Sequence, residues 1–259
     1  KLKNAGAQLI ILISHLGIDD ESKGHRSYDV RDNVDGLDLI IDGHSHSTLE
    51  KIQQVEGKAV ITSAGAYNGN LGVVTISIKN GQKTITPKNI PFSEFANIEN
   101  SADIDNYIQK ATTDLSPLLN EVIGNTEVYL EGKKSAVRTR ETNLTKLATT
   151  AILNECKADI VLVNGGSFRD SIDIGDITRN EIITVFPFGN YIITKAVTGE
   201  NLIAALELGF SDYPQVAAKI PQIAGIQCVI DSTAPAGSRV KSVTINSKPI
   251  DLKKEYVLA

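Results

Sequence analysis

Two groups of residues in this chain have the types and spacing for chemistry. The first is Asp42-Gly43-His44-Ser45-His46. It follows a short apolar run over 38–42 that reads as a strand, and ligand sites in α/β sheets gather where strands end. If the segment stays extended, residues i and i+2 point to one side, and His44 and His46 present two imidazoles into one cleft. Ser14-His15-Leu16-Gly17 repeats the layout at the end of an apolar run over 8–13. Three of the four histidines thus fall at the ends of two predicted strands. Imidazole is the commonest neutral metal ligand, and three converging rings suit zinc, manganese, iron or cobalt. They do not complete a hydrolytic centre, because a two-metal site also needs a bridging carboxylate and further oxygen ligands. By strand alternation Asp42 points away from both histidines. His25, within Gly24-His25-Arg26, has no such placement and reads as a solvated surface residue.

The second group is cationic and aromatic. Asn164-Gly165-Gly166-Ser167-Phe168-Arg169 follows another buried run. The glycines permit a tight turn and close approach of a ligand to the main chain. Arg169 offers a planar fork of donors suited to phosphate, and Asn164 can both donate and accept. Arg138 and Arg140 lie in a basic stretch from Lys133, just before a predicted helix, within reach of that glycine turn. Only six phenylalanines occur in the chain, and two of them flank Pro187 in Phe186-Pro187-Phe188-Gly189-Asn190. An aromatic on a rigid Pro/Gly turn can stack on a base, while an aromatic filling the core is the ordinary alternative, more so for Phe186 than for Phe188.

The elements that must position these groups are legible in texture. Runs over 8–13 and 38–42 suit strands buried on both faces. Segments 58–63 and 72–78 alternate and read as further strands, and Asn80-Gly81 before another β-like run is a hairpin signal. From 101 to 119 apolar residues recur at helical spacing, which predicts a linker helix. The second half reads as a mixed α/β unit. It has helices over 141–155 and 200–209, and strands over 159–163, 191–197, 224–230 and 239–245.

Composition bounds the rest. Hydrophobic residues make up 41% and charged residues 22%, typical of a folded chain rather than a disordered one. The net charge of −5 excludes a global basic field for a nucleic-acid polymer or acidic lipid. No apolar run reaches the ~18 residues of a membrane span. Cys156 and Cys228 show no CxxC spacing and read as buried free thiols, with a disulfide between them left open. The absence of Met, even at position 1, suggests part of a longer protein.

Together these segments resemble the 5′-nucleotidase family of metallophosphatases. The marks, in order, are SHLG at 14–17, IDGHSH at 41–46, ETNL at 141–144, NGGSFRDSI at 164–172, GDIT at 175–178 and FPFGN at 186–190. The resemblance implies an α/β (α+β) chain. It would hold the C-terminal part of a four-layer α/β/β/α metallophosphatase domain over 1–97, a linker helix over 98–122, and a mixed α/β substrate-binding domain over 123–259. It implies hydrolysis of nucleoside 5′-monophosphates with two divalent metal ions (zinc, manganese or similar), in an extracytoplasmic setting. His15 and His44 would ligate one ion and His46 the other. Arg138 and Arg169 would grip the phosphate with Asn164 beside them, Phe188 would stack on the base, and Asn190 would contact the nucleoside. Lys134 lies where some members carry a further basic residue. The family's catalytic His–Asp pair, bridging Asp and second stacking aromatic have no counterpart in these residues. Cyclic-nucleotide or UDP-sugar hydrolysis, and nucleotide binding without catalysis, are the alternative expectations.

Overall fold

The structure, a computed structural model, describes residues 1–49 and 55–259. The chain divides into two compact units, Lys1–Ile104 and Asp105–Ala259. No helix among the described residues is long and apolar enough to cross a membrane.

The first unit is built on three parallel strands, β1 (Ile11–Ile13), β2 (Leu39–Ile41) and β3 (Val60–Thr62), with β2 central. Parallel neighbours need a crossover, and helix α1 (Ser27–Asn33) lies in the one from β1 to β2. Ile40, Ala59 and Ile61 form the core, with Leu12, Tyr28, Leu37 and Leu49 packed on it. All three residues of β3 are buried, where alternation was expected. The opposite correction applies to β1, expected to be covered on both faces. It is an edge strand with Ile11 and Ile13 exposed. An apolar run is buried twice over only where neighbours cover both faces. The Asn80-Gly81 signal does close a hairpin, between β4 (Asn70–Lys79) and β5 (Gln82–Pro91), with φ of 50° and 79° at the two turn residues. Such left-handed pairs match the twist of the flanking strands. After α2 (Phe92–Phe95), the predicted helix forms as α3 (Ala102–Leu119), and none of its residues is buried.

The second unit is a mixed α/β assembly. In chain order it runs β6 (Val122–Thr126), α4 (Lys134–Val137), α5 (Asn143–Cys156), β7 (Val161–Asn164), β8 (Gly175–Thr178) and α6 (Arg179–Val185). There follow β9 (Lys195–Thr198), α7 (Gly199–Gly209), β10 (Pro221–Ala224), β11 (Gln227–Ile230), β12 (Val240–Ile245), β13 (Lys248–Pro249) and β14 (Glu255–Leu258). The strands pair antiparallel as β6–β8, β7–β10, β9–β14 and β11–β12–β13. Helix α5 begins where the sequence supplies a reciprocal cap. The Thr145 N–H donates to Thr142 Oγ1 at 3.2 Å, and the Thr142 N–H donates to Thr145 Oγ1 at 2.9 Å.

One core centres on Phe168 with Leu130, Val137, Leu144, Ile172 and Val185. The other joins Ile160, Leu202, Leu206, Ile226, Val243 and Tyr256. Two predicted strands need correction. The one expected over 191–197 begins only at Lys195, where Leu258 of β14 stands opposite. Among the described residues no strand lies opposite Tyr191, Ile192 and Ile193, which are exposed, because β-propensity forms no ladder without a partner. The segment 224–230 splits at Gly225 (φ 79°) into β10 and β11, which pair with different strands. Cys156 and Cys228 are free thiols. Burial, aided by the Glu207 carboxylate, pushes the Cys228 thiol up to about 11, so it stays protonated at neutral pH.

Two local locks hold the loops that carry the candidate residues. Asp42, at the end of β2, turns back to the loop after β1. Its Oδ1 accepts from Ser14 Oγ (3.0 Å), Leu16 N (3.0 Å) and Gly17 N (3.3 Å). Burial by itself raises the carboxyl pKa. The Leu16 N–H, the Ser27 hydroxyl, the Gly43 N–H and the Ser14 hydroxyl together outweigh burial and hold it below the usual carboxylate range. In the second unit, the glycine turn after β7 is pinned from one side by Gly165 N to Ile220 O (2.7 Å) and Gly166 N to Ala218 O (2.8 Å). From the other side, a Cβ added at Gly165 would lie 2.2 Å from the Val137 carbonyl oxygen.

Both locks can be tested. A carboxyl with a depressed folded-state pKa contributes stability that is present above its unfolded value of ~3.9. That contribution is lost as pH falls through the folded value. Asp42→Asn should therefore lower stability near neutral pH by about 1–3 kcal/mol and flatten the acid limb of a thermal-melt series. Gly165→Ala must force two backbones apart and should cost about 1–3 kcal/mol in urea denaturation followed by circular dichroism.

Candidate functional site

The histidines of the first unit come together by a different route from the one expected. His44 and His46 have φ of 72° and 55°, so the segment after β2 is not extended. The Ser45 N–H donates to Gly43 O at 3.0 Å, which folds the chain sharply there. The expectation that i and i+2 share a side therefore fails, because a bend breaks the two-residue period. Left-handed backbone at non-glycine residues is uncommon and gathers at functional sites. The bend sends His44 toward His15, their rings meeting edge to face with centroids 5.2 Å apart. His46 instead meets Tyr67, with centroids 5.5 Å apart. Gly43 and Gly17 admit the two rings. A Cβ at Gly43 would lie 3.0 Å from His15 Nδ1, and one at Gly17 would lie 3.1 Å from the His44 ring. Asp42 holds the main chain on either side of this contact.

His15 and His44 offer two nitrogen donors on exposed rings, a chemistry that suits borderline metals. Among the described residues no group of three or more His, Cys, Asp or Glu is placed to hold a metal ion. The pair therefore fits a metal as part of a larger ligand set and is not a complete site.

In the second unit, Arg138 follows α4 and is buried, while Arg169 is exposed just beyond the short 3₁₀ turn Gly165–Ser167. The main chain of Arg169 is fixed by its N–H donating to Val185 O at the end of α6 (3.0 Å). The two phenylalanines beyond α6 divide as their alternatives suggested. Phe186 packs on Phe168 (centroids 5.1 Å apart) at the core, whereas Phe188 is 56% exposed. The Arg169 guanidinium lies over the Phe188 ring, 5.5 Å from its centroid, within cation–π range.

Phe188, Asn190 and Asn164 line a cavity of about 710 Å³ whose walls are mostly apolar, among them Leu144, Ile182 and Phe186. Arg138 and Arg169 are not among its lining residues. Asn164 spends part of its bonding on its own turn, accepting from Ser167 Oγ (2.7 Å) and donating to Ala218 O (3.4 Å). Lys134 is exposed at the start of α4. The arrangement thus offers an apolar recess with amides and two exposed aromatics, Phe188 and Tyr191, at its wall. The Arg169 guanidinium sits over Phe188, and Arg138 lies on the turn packed against Gly165. Sequence reading did not single out Gln222, which is 1% exposed and donates to the Val137 and Arg140 carbonyls on the turn that carries Arg138. Its only signal was a polar residue between Pro221 and Ile223.

Residues 122–259 match the model of the 5′-nucleotidase C-terminal domain. Among curated proteins, the chain is 32% identical over 248 residues to the Bacillus subtilis trifunctional nucleotide phosphoesterase protein YfkN, covering 92% of this chain and 16% of that protein. It is 26% identical over 297 residues to the snake venom 5′-nucleotidase of Crotalus adamanteus, covering 100% of this chain and 50% of the relative. Among solved structures, a 5′-nucleotidase precursor from Thermus thermophilus superposes with a TM-score of 0.65 at 26% identity. That match covers 99% of this chain and 54% of the other. The chain spans half the length, or less, of these two curated relatives. With its domain model matched over more than half the chain and its motifs in order, the chain belongs to the 5′-nucleotidase family.

Proposed function

We propose that this chain is the substrate-binding part, with some of the metal ligands, of a metal-dependent phosphoester hydrolase that releases phosphate from nucleoside 5′-monophosphates outside the cytoplasm. The observation that carries the reading is Arg169 stacked over Phe188 at the cavity lined by Asn164 and Asn190. A nucleotide is an anion joined to a flat aromatic ring through a polar sugar, and these residues supply a counterpart for each. Phe188 takes the base by stacking, and Asn190 and Asn164 donate to and accept from the nucleoside. Arg169 and Arg138 bind the phosphate oxygens, for which a planar guanidinium is the suited donor. Arg138 brings a guanidinium already shielded from water, which strengthens its attraction for an anion. As negative charge grows on the phosphoryl oxygens, the same donors stabilise it. When bound, divalent ions such as zinc or manganese supply Lewis-acid polarisation. His15, His44 and His46 are the nitrogens of this chain that would help hold them. The family relationship and the venom setting of one relative's name support the extracytoplasmic location.

Calorimetry with AMP and adenosine tests the binding half. Arg169→Ala should weaken AMP by about 1.5–3 kcal/mol, the range for hydrogen bonds to charged groups, and leave adenosine unchanged. Phe188→Ala should weaken both ligands by about 1–3 kcal/mol. A wild-type chain that binds AMP no better than adenosine would sink the phosphate roles. Phosphate release from AMP that appears with zinc or manganese and stops with a chelator supports hydrolysis. AMP binding without release in any metal favours a binding module. UDP-glucose and 2′,3′-cyclic AMP in the same assay separate the neighbouring phosphoesterase activities.

A further inference from the structure

We infer that Gln222 is a positioning residue for the phosphate grip, acting through the main chain of Arg138. This rests on the phosphate role proposed above for that arginine. Gln222 lies in β10, opposite Val163 of β7, and is 1% exposed. Its side-chain Nε2 donates to Val137 O at 2.8 Å and to Arg140 O at 3.0 Å. Those two carbonyls bracket Arg138. Both partners are acceptors, so only the NH₂ end of the amide can face them.

The main chain of the same segment completes the hold. Ala217 N donates to Arg138 O at 3.2 Å, while Ala218 O and Ile220 O take the N–H groups of Gly166 and Gly165. One short stretch, 217–222, therefore ties the turn carrying Arg138 to the glycine turn leading into Arg169. The tie has a cost at the other end of the amide, where Gln222 Oε1 is buried without a hydrogen-bond partner among the described residues. An orphaned buried acceptor is unfavourable. A buried apolar residue of similar volume would avoid it but would release both carbonyls. Retaining the amide makes sense if the backbone beside Arg138 must be held.

The test is a double-mutant cycle read as the ratio of AMP to adenosine affinity, measured on the full chain by calorimetry. Gln222→Met keeps the side-chain length and removes both donors. It should lower the ratio roughly tenfold, as expected for residues in one hydrogen-bond network, while adenosine affinity stays at the wild-type value. In an Arg138→Ala background the same substitution should lower the ratio no further. The ratio is taken within one protein, so partial unfolding of a variant cancels. A wild-type ratio in Gln222→Met, or an equal drop in the presence and absence of Arg138, overturns the inference. A wild-type chain with no preference for AMP overturns the phosphate role of Arg138 itself, and the inference with it.

Discussion

The contact between the Val137 carbonyl and Gly165 is the constraint on which the second unit's site depends. A side chain at 165 would put a carbon 2.2 Å from that oxygen, so only glycine lets the two turns touch. Once they touch, Arg138 lies on one turn and the chain to Arg169 leaves the other. The β7–β10 ladder then brings 217–222 alongside, where main-chain groups and the Gln222 amide take up polar groups of both turns. Buried backbone groups need partners, and here their partners come from one segment. The guanidinium groups thus stand on a hydrogen-bonded frame rather than on free loops.

The first unit follows the same logic with a charge in place of an amide. Asp42 ends β2, and its carboxylate collects the N–H groups of the loop that carries His15. The Gly43–Ser45 bend then turns His44 back onto that loop. A carboxylate accepting several N–H bonds is stable as an anion even when buried. It can therefore orient one imidazole-bearing loop against another without being a ligand itself.

Much of this was legible in order and type. The hairpin at Asn80-Gly81 and helix α3 rest on local chemistry and appear where local chemistry puts them. The division between Phe186 and Phe188 followed from their placement around Pro187. Three expectations failed for a shared reason. The burial of β1, the strand over 191–194 and the extended run through His44 and His46 each depend on what lies opposite the chain, and propensity carries no information about that.

Short motifs in order carried the resemblance to the family, and residue types and spacing by themselves determined the histidine and arginine candidates and the alternation of helices and strands, because these are properties of short stretches. Tertiary structure alone decided that His44 meets His15 while His46 meets Tyr67. It alone decided that Arg169 covers Phe188, and that Gln222 reaches across more than eighty positions to the carbonyls beside Arg138. The physical reason is that a hydrogen bond or ring contact forms between groups brought near in space. Nearness across such separations is set by strand register and core packing, which no local pattern encodes.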